Sequence, residues 1–318
     1  MARLSDFRDF DVALPGGGSV RARLTGRADG PLVVVAGGIS ADRAPANDAE
    51  RRGWWDWAVG PGAPIDADRF AVLAIDWPPA AGASPDQPVT TQDQARAFAA
   101  ALDALGRDVA DAFVGASYGG CVGLAFAELF PERIGRLVAI SAPHRAHPTA
   151  TAWRGVQRRI LELGLESGRE AEALSLARQL AMTTYRTTEE LGLRFGGAPA
   201  PAGVGAPHAV CDWLIARGEA HAANADARRQ VVLTDSLDRH AVHPERIRCP
   251  LTVVGFTDDR LVPIEDLREL AGRAANLCRF VEAPSVFGHD AFLKEREVVG
   301  RALRTALLPL PICSEIAA

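Results

Sequence analysis

The sequence is poor in cysteine, and the spacing of its cysteines excludes two common kinds of site. Five occur in 318 residues, an odd number, and no pair has the Cys-x-x-Cys spacing typical of zinc ligands or redox pairs. The sequence therefore predicts neither a disulfide framework nor a metal site, and a reducing cytoplasm is the expected compartment. The five residues are Cys121, Cys211, Cys249, Cys278 and Cys313.

Long hydrophobic runs and a dominant charge are also missing. No run of 18 or more apolar residues occurs, so no membrane-spanning helix is expected. Residues 1–6 lack the apolar core of a signal peptide. The net charge of −5 argues against nonspecific binding to nucleic acid. Hydrophobic residues at 48% and charged residues at 24% are typical of a soluble globular enzyme.

The pattern Gly115-x-Ser117-x-Gly119 is the most informative motif that the sequence does contain. It follows a short apolar run at residues 111–114 and precedes an apolar helical pattern at residues 121–130. A serine between a strand and a helix, flanked by glycines, is typical of a nucleophile elbow, in which a strained turn exposes the hydroxyl. The N-terminal amides of the helix then face any oxyanion formed there. We interpret Ser117 as a nucleophile.

A serine nucleophile needs a base and an acid that orients the base, and candidates for both occur later in the chain. In α/β-hydrolase folds the chain order is serine, acid, histidine. Asp258 and Asp259 follow an apolar strand pattern at residues 251–256, and His289 follows another strand pattern. Because ligands bind beyond the carboxyl ends of parallel strands, these side chains are expected to meet Ser117. The pattern alone does not choose between Asp258 and Asp259.

Strand and helix patterns alternate along most of the chain, which predicts the fold class. Alternation of this kind indicates a mostly parallel central sheet flanked by helices on both faces. From about residue 144 the strand patterns stop and helical patterns replace them, until strands resume at Leu251. We therefore predict an α/β-hydrolase core formed by residues 1–143 and 246–318. Residues 144–245 would be a helical lid inserted over the strand ends.

Several further segments carry a distinctive combination of residues. They are Gly53-Trp54-Trp55-Asp56, residues 60–66, residues 177–186, Arg194-Phe195-Gly196, Asp259-x-Leu261-x-Pro263 and residues 288–293. Together they resemble the homoserine O-acyltransferases of the α/β-hydrolase superfamily, in patches that extend over most of the chain. Ordinary esterases do not share this combination. The resemblance implies transfer of an acetyl or succinyl group from coenzyme A to the hydroxyl of homoserine, in methionine biosynthesis, without a permanently bound cofactor.

The resemblance implies catalytic roles for three of the residues above. Ser117 would be the nucleophile that carries the acyl group, and His289 would be the base. Asp259 would be the triad acid, since it begins the family's Asp-x-Leu-x-Pro segment. The backbone amides of Ile39 and Tyr118 would stabilise the oxyanion.

The resemblance also implies a pocket for zwitterionic homoserine. Arg178 and Tyr185 match residues that hold the substrate, and their separation of seven lets one helix face present both. Arg178 can bind a carboxylate through two hydrogen bonds. Asp290 matches the acid that binds the ammonium group. The family further implies a homodimer formed through the lid helices.

The chain departs from the family around the acyl and oxyanion sites. Tyr118 stands where a methionine or leucine is expected, and the loop containing Ile39 lacks the family's histidine and leucine-threonine pair. A succinyl donor needs a cation for its free carboxylate, for which Arg145 and Arg154 are candidates. Tyr118 is also a candidate hydrogen-bond donor at that place. The donor stays open between acetyl-CoA and succinyl-CoA.

Other functions remain open on the same residues. A serine O-acyltransferase would use the same triad with another hydroxylated acceptor, and an esterase would use it with water. The presence of Arg178, Tyr185 and Asp290 favours a transferase over an esterase. A non-catalytic binding role is disfavoured because nucleophile, base and acid are all present.

Overall fold

The computed structural model describes residues 7–79, 88–206 and 208–308, and its centre is a β-sheet. Residues 1–6, for which the sequence predicts no signal segment, and Cys313 lie outside the described residues. The described strands are β1 (Phe7–Ala13), β2 (Ser19–Gly26), β3 (Leu32–Ala36), β4 (Val59–Gly60), β5 (Ile65–Asp66), β6 (Ala71–Ile75), β7 (Ala112–Ala116), β8 (Leu137–Ile140), β9 (Leu251–Phe256) and β10 (Leu277–Ala283).

Eight of the described strands form one sheet in the order β1-β2-β6-β3-β7-β8-β9-β10. β2 pairs antiparallel with both β1 and β6, and each further pair of neighbours is parallel. β4 and β5 form a separate short pair. The predicted mostly parallel sheet is confirmed.

The central strands are apolar along their whole length because both faces of the sheet are covered. β3, β7, β8 and β9 are buried at every residue, as expected for parallel strands with helices on both sides. Side chains alternate between the two faces. Val34 and Phe113 belong to the hydrophobic core on one face, and Val33 and Val114 belong to the core on the other.

The helices cover the two faces and extend beyond the strand ends. α1 begins with a capping box, in which Thr90 and Asp93 each accept the other's backbone N–H. α1, α2 and α8 pack on one face, and α10 packs on the other. The helices are α1 (Thr91–Ala104), α2 (Tyr118–Leu129), α3 (Pro148–Ser167), α4 (Glu170–Tyr185), α5 (Thr188–Phe195), α6 (Ala209–Ala222), α7 (Ala227–Asp238), α8 (Ile264–Arg273), α9 (Ala291–Lys294) and α10 (Arg296–Ala306).

α3 to α7 lie between β8 and β9 in the chain and form what we call the helical insertion, residues 148–238. They pack mainly on one another, α4 contacting both α3 and α6. A small separate core holds them together, including Leu161 on α3, Leu174 on α4 and Ala227 on α7. No helix in the described part of the chain is both long enough and apolar enough to cross a membrane.

Candidate active site

Ser117 occupies a strained turn between β7 and α2. Its backbone has φ 53° and ψ −120°, a left-handed conformation that is rare for a residue with a Cβ. The turn requires glycine on either side. A Cβ on Gly115 would lie 2.2 Å from the carbonyl oxygen of Gly119, and a Cβ on Gly119 would lie 2.2 Å from that of Ala36. The sequence pattern therefore has a steric cause.

A chain of hydrogen bonds links Ser117 to His289 and Asp259. The Oγ of Ser117 lies 2.8 Å from Nε2 of His289, and Nδ1 of His289 lies 2.7 Å from Oδ2 of Asp259. His289 lies in a short 3-10 turn after β10, and Asp259 lies in the loop after β9. The structure thus brings together the predicted nucleophile, base and acid at the carboxyl ends of β7, β9 and β10.

The two neighbouring aspartates have different partners. Oδ1 of Asp259 accepts hydrogen bonds from the backbone N–H groups of Leu261 and Val262, each at 3.0 Å, which fixes the carboxylate toward His289. Asp258 instead accepts hydrogen bonds from the Thr257 hydroxyl and the Ser285 backbone N–H. The geometry therefore places Asp259, and not Asp258, against the histidine.

The surroundings of His289 make it a stronger base than an ordinary histidine. Its side chain is 8% exposed, and burial by itself lowers the pKa of the imidazole. The charge of Asp259 and the hydrogen bond to it raise the pKa, and Asp290 adds to this effect. The net result is a pKa above the ordinary value of 6.5. The ring is therefore suited to accept the proton of the serine hydroxyl.

A cavity at this edge of the sheet opens onto the hydroxyl of Ser117. Its walls come from the sheet edge and from the helical insertion. Among the described residues, no group of three or more His, Cys, Asp or Glu side chains is arranged to hold a metal ion. Among the candidate site residues singled out in the sequence, those that line the cavity are Ile39, Ser117, Arg154, Arg178, Tyr185, His289 and Asp290.

Arg178 and Tyr185 project from α4 as a pair. The guanidinium carbon of Arg178 lies 5.4 Å from the ring centroid of Tyr185, and the Tyr185 ring lies 5.8 Å from that of His289. Burial raises the pKa of the Tyr185 phenol, so it stays protonated and can donate a hydrogen bond. Arg178 forms no ion pair with any described residue. It is therefore a cation inside the cavity with its charge available to a ligand.

Asp290 lies in the cavity but already has a cationic partner, Arg186. Nη2 of Arg186 lies 2.7 Å from Oδ2 of Asp290, and Nη1 binds both carboxylate oxygens of Glu190 at 2.9 and 3.0 Å. All three side chains are largely buried. Sequence reasoning missed Arg186. Two features of the sequence indicate a role for Arg186. It directly follows Tyr185, and Glu190 lies four residues later, the spacing of an ion pair along a helix.

The two predicted oxyanion donors are backbone N–H groups without partners in the described part of the chain. Tyr118 is the first residue of α2, where the N–H has no acceptor within the helix. Ile39 lies in the loop after β3 and lines the cavity. Both N–H groups are thus free to donate a hydrogen bond to a ligand.

The side chain of Tyr118 does not reach the cavity, so its predicted hydrogen bond to an acyl group is wrong. The ring is fully buried, 4.8 Å from the ring of Trp77, and its hydroxyl lies 2.8 Å from Oγ of Ser236. Burial also raises the pKa of the phenol. Trp77 and Ser236 enclose the ring, and the Tyr118 hydroxyl already has Ser236 as its hydrogen-bond partner.

Of the two arginines considered for an acidic acyl group, only Arg154 lines the cavity. Arg145 lies at the surface, paired with Glu269 at 2.8 Å. Arg154 is 12% exposed and paired with Asp238. Gln157 lines the cavity one turn further along α3, and no described residue forms a hydrogen bond with its amide. Gln157 was missed, although its spacing of three from Arg154 places both on one helix face.

The sequence was compared with protein families and with curated proteins, and both comparisons found relatives. Residues 31–295 match the family model of the alpha/beta hydrolase fold. The chain is 43% identical over 293 residues to a homoserine O-succinyltransferase of Xanthomonas campestris pv. campestris, covering 91% of this chain and 78% of that protein. It is 34% identical over 324 residues to a homoserine O-acetyltransferase of Mycobacterium avium, covering 87% of this chain and 81% of that protein.

A solved structure shows how widely the fold is shared. The chain superposes on the crystal structure of esterase E22 with a TM-score of 0.83, at 17% identity, covering 94% of this chain and 99% of the esterase. At that identity the superposition shows the fold alone. The choice between transferase and esterase therefore depends on sequence relatives and on the residues of the cavity.

Proposed function

The chain belongs to the homoserine O-acyltransferase family of the alpha/beta hydrolase fold, and from this premise we propose that it transfers an acyl group from acyl-coenzyme A to the side-chain hydroxyl of L-homoserine. The observation that carries the proposal is the hydrogen-bonded chain Ser117–His289–Asp259, which opens into a cavity that also holds Arg178 and Asp290. A product of this kind would serve methionine biosynthesis. Acyl-CoA acts as a substrate, and no bound cofactor is required.

In the first step the acyl group moves from the thioester to Ser117. His289 Nε2 takes the proton of the Ser117 hydroxyl as its oxygen bonds to the acyl carbon, and Asp259 stabilises the imidazolium. The backbone N–H groups of Ile39 and Tyr118 stabilise the tetrahedral oxyanion, each typically by about 3 kcal/mol. The C–S bond then breaks, the sulfur receives the proton from His289, and free coenzyme A leaves.

In the second step the acyl group moves from Ser117 to homoserine. The homoserine hydroxyl gives its proton to His289 as its oxygen attacks the ester carbon, and the released Ser117 oxygen recovers that proton. Arg178 would bind the substrate carboxylate, and Asp290 would share its charge between Arg186 and the substrate ammonium. Tyr185 would donate a hydrogen bond to the bound amino acid. These contacts favour transfer over hydrolysis because they orient the homoserine hydroxyl for attack. The effective molarity of a well-oriented group can exceed the concentration of water, about 55 M.

We propose succinyl-CoA as the donor. The free carboxylate of a succinyl group needs a buried cation, and Arg154 supplies one in the same cavity as Ser117. Gln157 lies one turn away on the same face of α3 and can donate a second hydrogen bond to the carboxylate. The 43% identity to a relative named homoserine O-succinyltransferase supports the same choice. Acetyl-CoA is the alternative donor, supported by the 34% identity to a relative named homoserine O-acetyltransferase.

We also propose that residues 144–245, which include the helical insertion, form a lid over a core formed by residues 1–143 and 246–318. The insertion supplies Arg154, Arg178 and Tyr185 to the cavity wall, and a cover of this kind would keep water from the acyl-serine.

We further propose a homodimer formed through the lid helices. Large apolar side chains exposed on them support an interface, namely Val156, Leu163, Leu176, Leu193 and Ile215.

The release of free thiol tests the activity. Acetyl-CoA and succinyl-CoA are each incubated with the protein, with and without homoserine and with serine as a second acceptor. Thiol release that requires homoserine and is fastest with succinyl-CoA is expected. Release that is equal with and without any acceptor would instead identify an esterase, and release that requires serine would identify a serine O-acyltransferase. Ser117→Ala should abolish release, and full turnover by that variant would contradict the mechanism.

A further inference from the structure

Ser141 is a buried serine beside the nucleophile that the mechanism above does not use. It is the first residue after β8, as Ser117 is the first residue after β7. The two strands are parallel neighbours, and Ala116 is paired with Ile140. The backbone N–H of Ser117 donates to the carbonyl oxygen of Ile140 at 2.8 Å. The two serines therefore stand side by side at the carboxyl ends of adjacent strands.

The backbone of Ser141, like that of the nucleophile, has a positive φ. Its φ is 48°, and Ser117, at 53°, is the other described non-glycine residue with a positive φ. This conformation costs folding free energy for any residue that has a Cβ, and glycine would adopt it without that cost. Strained residues of this kind concentrate at functional sites. The strain at Ser141 therefore suggests that its side chain has a use.

The hydroxyl of Ser141 has no protein partner. The residue is 1% exposed, and no described residue lies within hydrogen-bonding geometry of its Oγ. It lines the same cavity as Ser117 and His289. A buried hydroxyl without a partner destabilises the folded protein, and alanine would remove that cost. A ligand in the cavity would give the hydroxyl the partner that the protein does not provide.

The position of Ser141 indicates which part of the ligand it would meet. β3 lies on one side of β7, and the loop after it carries Ile39, the proposed oxyanion donor. β8 and then β9 lie on the other side, and the loop after β9 carries Asp259, which holds His289. Ser141 is therefore on the histidine side of the nucleophile. The ligand atom that exchanges a proton with His289 must occupy that side.

We propose that Ser141 binds the acceptor, by donating a hydrogen bond from its hydroxyl to the attacking hydroxyl oxygen of homoserine. This inference rests on the proposed transfer to homoserine. The acceptor hydroxyl has one proton and two lone pairs. The proton goes to Nε2 of His289, one lone pair receives the hydrogen bond from Ser141, and the other attacks the ester carbon on Ser117. Two fixed contacts on one oxygen hold it in the orientation required for attack.

Ser141→Ala separates this role from a structural one. The variant should have an unchanged or higher melting temperature, since an unpaired buried hydroxyl has been removed. Its kcat/KM for homoserine should fall about tenfold, the loss expected for one hydrogen bond in the transition state. The rate of coenzyme A release in the first turnover is measured by rapid mixing without homoserine. This rate should change less than the rate of the second step, the transfer of the acyl group from Ser117 to homoserine.

Two further variants make the result specific to the hydroxyl. Ser141→Gly also removes the hydroxyl but relieves the backbone strain, so it should lose the same kcat/KM as the alanine variant. Thr184→Val is the matched control, because Thr184 is a buried residue of α4 that does not line the cavity, and its hydroxyl donates to the Ala181 carbonyl oxygen at 2.7 Å. It should keep the kcat/KM of the wild type.

Several outcomes would overturn the inference. Ser141→Ala with the wild-type kcat/KM for homoserine would show that the hydroxyl does not touch the acceptor. A fall in melting temperature for the alanine variant would show a structural partner for the hydroxyl. Full activity in Ser141→Gly with loss in Ser141→Ala would assign the effect to strain. If the wild-type protein itself shows no dependence on homoserine, the proposed function fails, which is a distinct result.

Discussion

His289 is the residue whose environment most directly determines the chemistry. Burial alone would lower the pKa of its imidazole, and the charge and hydrogen bond of Asp259 reverse that effect and raise it. As pH falls through this raised pKa, the ring becomes protonated and can no longer accept the proton of Ser117. Activity should therefore be lost on the acid side, with a midpoint above the ordinary histidine pKa of about 6.5.

Asp259→Asn tests that environment. The amide removes the charge that raises the pKa of His289, so burial dominates and the midpoint of the acid limb should move to lower pH. The value of kcat should fall by about four orders of magnitude, because the histidine loses its orientation and the stabilisation of its charged form. The pH dependence of kcat/KM measures both effects.

Asp258→Asn is the matched control for that experiment. Asp258 is the adjacent residue, and its carboxylate accepts from Thr257 and Ser285 rather than from His289. Its pH profile should keep the wild-type midpoint. A control variant with the profile of Asp259→Asn would mean that the two aspartates share the role, contrary to the geometry.

Arg154→Gln tests the donor subsite. Loss of the cation should raise the KM for succinyl-CoA by about tenfold or more and leave the KM for acetyl-CoA within about twofold, because only the succinyl group has a free carboxylate. Arg158→Gln is the control, since Arg158 also pairs with Asp238, at 2.6 Å, but does not line the cavity. Equal changes for the two donors, or equal effects of the two variants, would contradict the assignment.

At the scale of elements, α4 and the turn after it organise the part of the cavity proposed to bind homoserine. The helix presents Arg178 and Tyr185 to the ligand. Arg186, which follows it, joins Glu190 on α5 to Asp290 beside the catalytic histidine. The helical insertion and the histidine loop are therefore connected by one buried cation between two carboxylates. This connection fixes the end of α4 and the start of α5 relative to the loop that carries His289.

Arg186→Ala should weaken both the fold and the site. It leaves the buried Asp290 carboxylate without its cation and leaves Glu190 with the more distant Arg194, which typically costs about 3–5 kcal/mol of unfolding free energy. Urea denaturation measures that loss, and the KM for homoserine should rise because Asp290 is no longer held. Arg194→Ala is the control, because Arg194 lies 3.6 Å from Glu190 and is more exposed, so its loss should cost less than about 1 kcal/mol. Similar losses in the two variants would contradict a special role for Arg186.

At the scale of the whole molecule, the cavity lies where the sheet edge meets the helical insertion. The loops after the strands supply the proposed nucleophile, acid and base, and the insertion supplies Arg154, Arg178 and Tyr185. The outer surface of the insertion also exposes large apolar side chains, with Leu193 at 75% and Leu163 at 64%. These side chains are the basis of the dimer interface proposed above.

The proposed dimer predicts a particle about twice the mass of the 33.7 kDa chain, measured by sedimentation equilibrium. The double variant Leu176→Glu/Leu193→Glu places charges on the lid helices and should shift the protein to a monomer. Val109→Glu is the control, since Val109 is also exposed but lies outside the insertion, and it should stay dimeric. A wild-type monomer, or a dimer unaffected by the double variant, would contradict the interface.

The local sequence was sufficient to predict the strands of the sheet, the nucleophile elbow at Ser117 and the chain order of the proposed catalytic residues. Buried parallel strands must be apolar throughout, and the turn at Ser117 admits only glycine at Gly115 and Gly119, so both leave a pattern that can be recognised. Arg178 and Tyr185 could be paired because helical periodicity places them on one face. Asp259 could be preferred to Asp258 from the family resemblance, and the structure places it against His289.

Only the tertiary structure decided which polar side chains share a partner or a cavity. Arg186 meets Asp290 across about 100 residues of sequence, Arg145 turns to Glu269 on the surface, and the Tyr118 ring turns into the core. Ser141 has no signal comparable to the elbow, since its importance lies in a strained backbone and an unpartnered hydroxyl beside Ser117. These facts depend on distances between segments remote in the chain, which local periodicity and motif spacing do not encode.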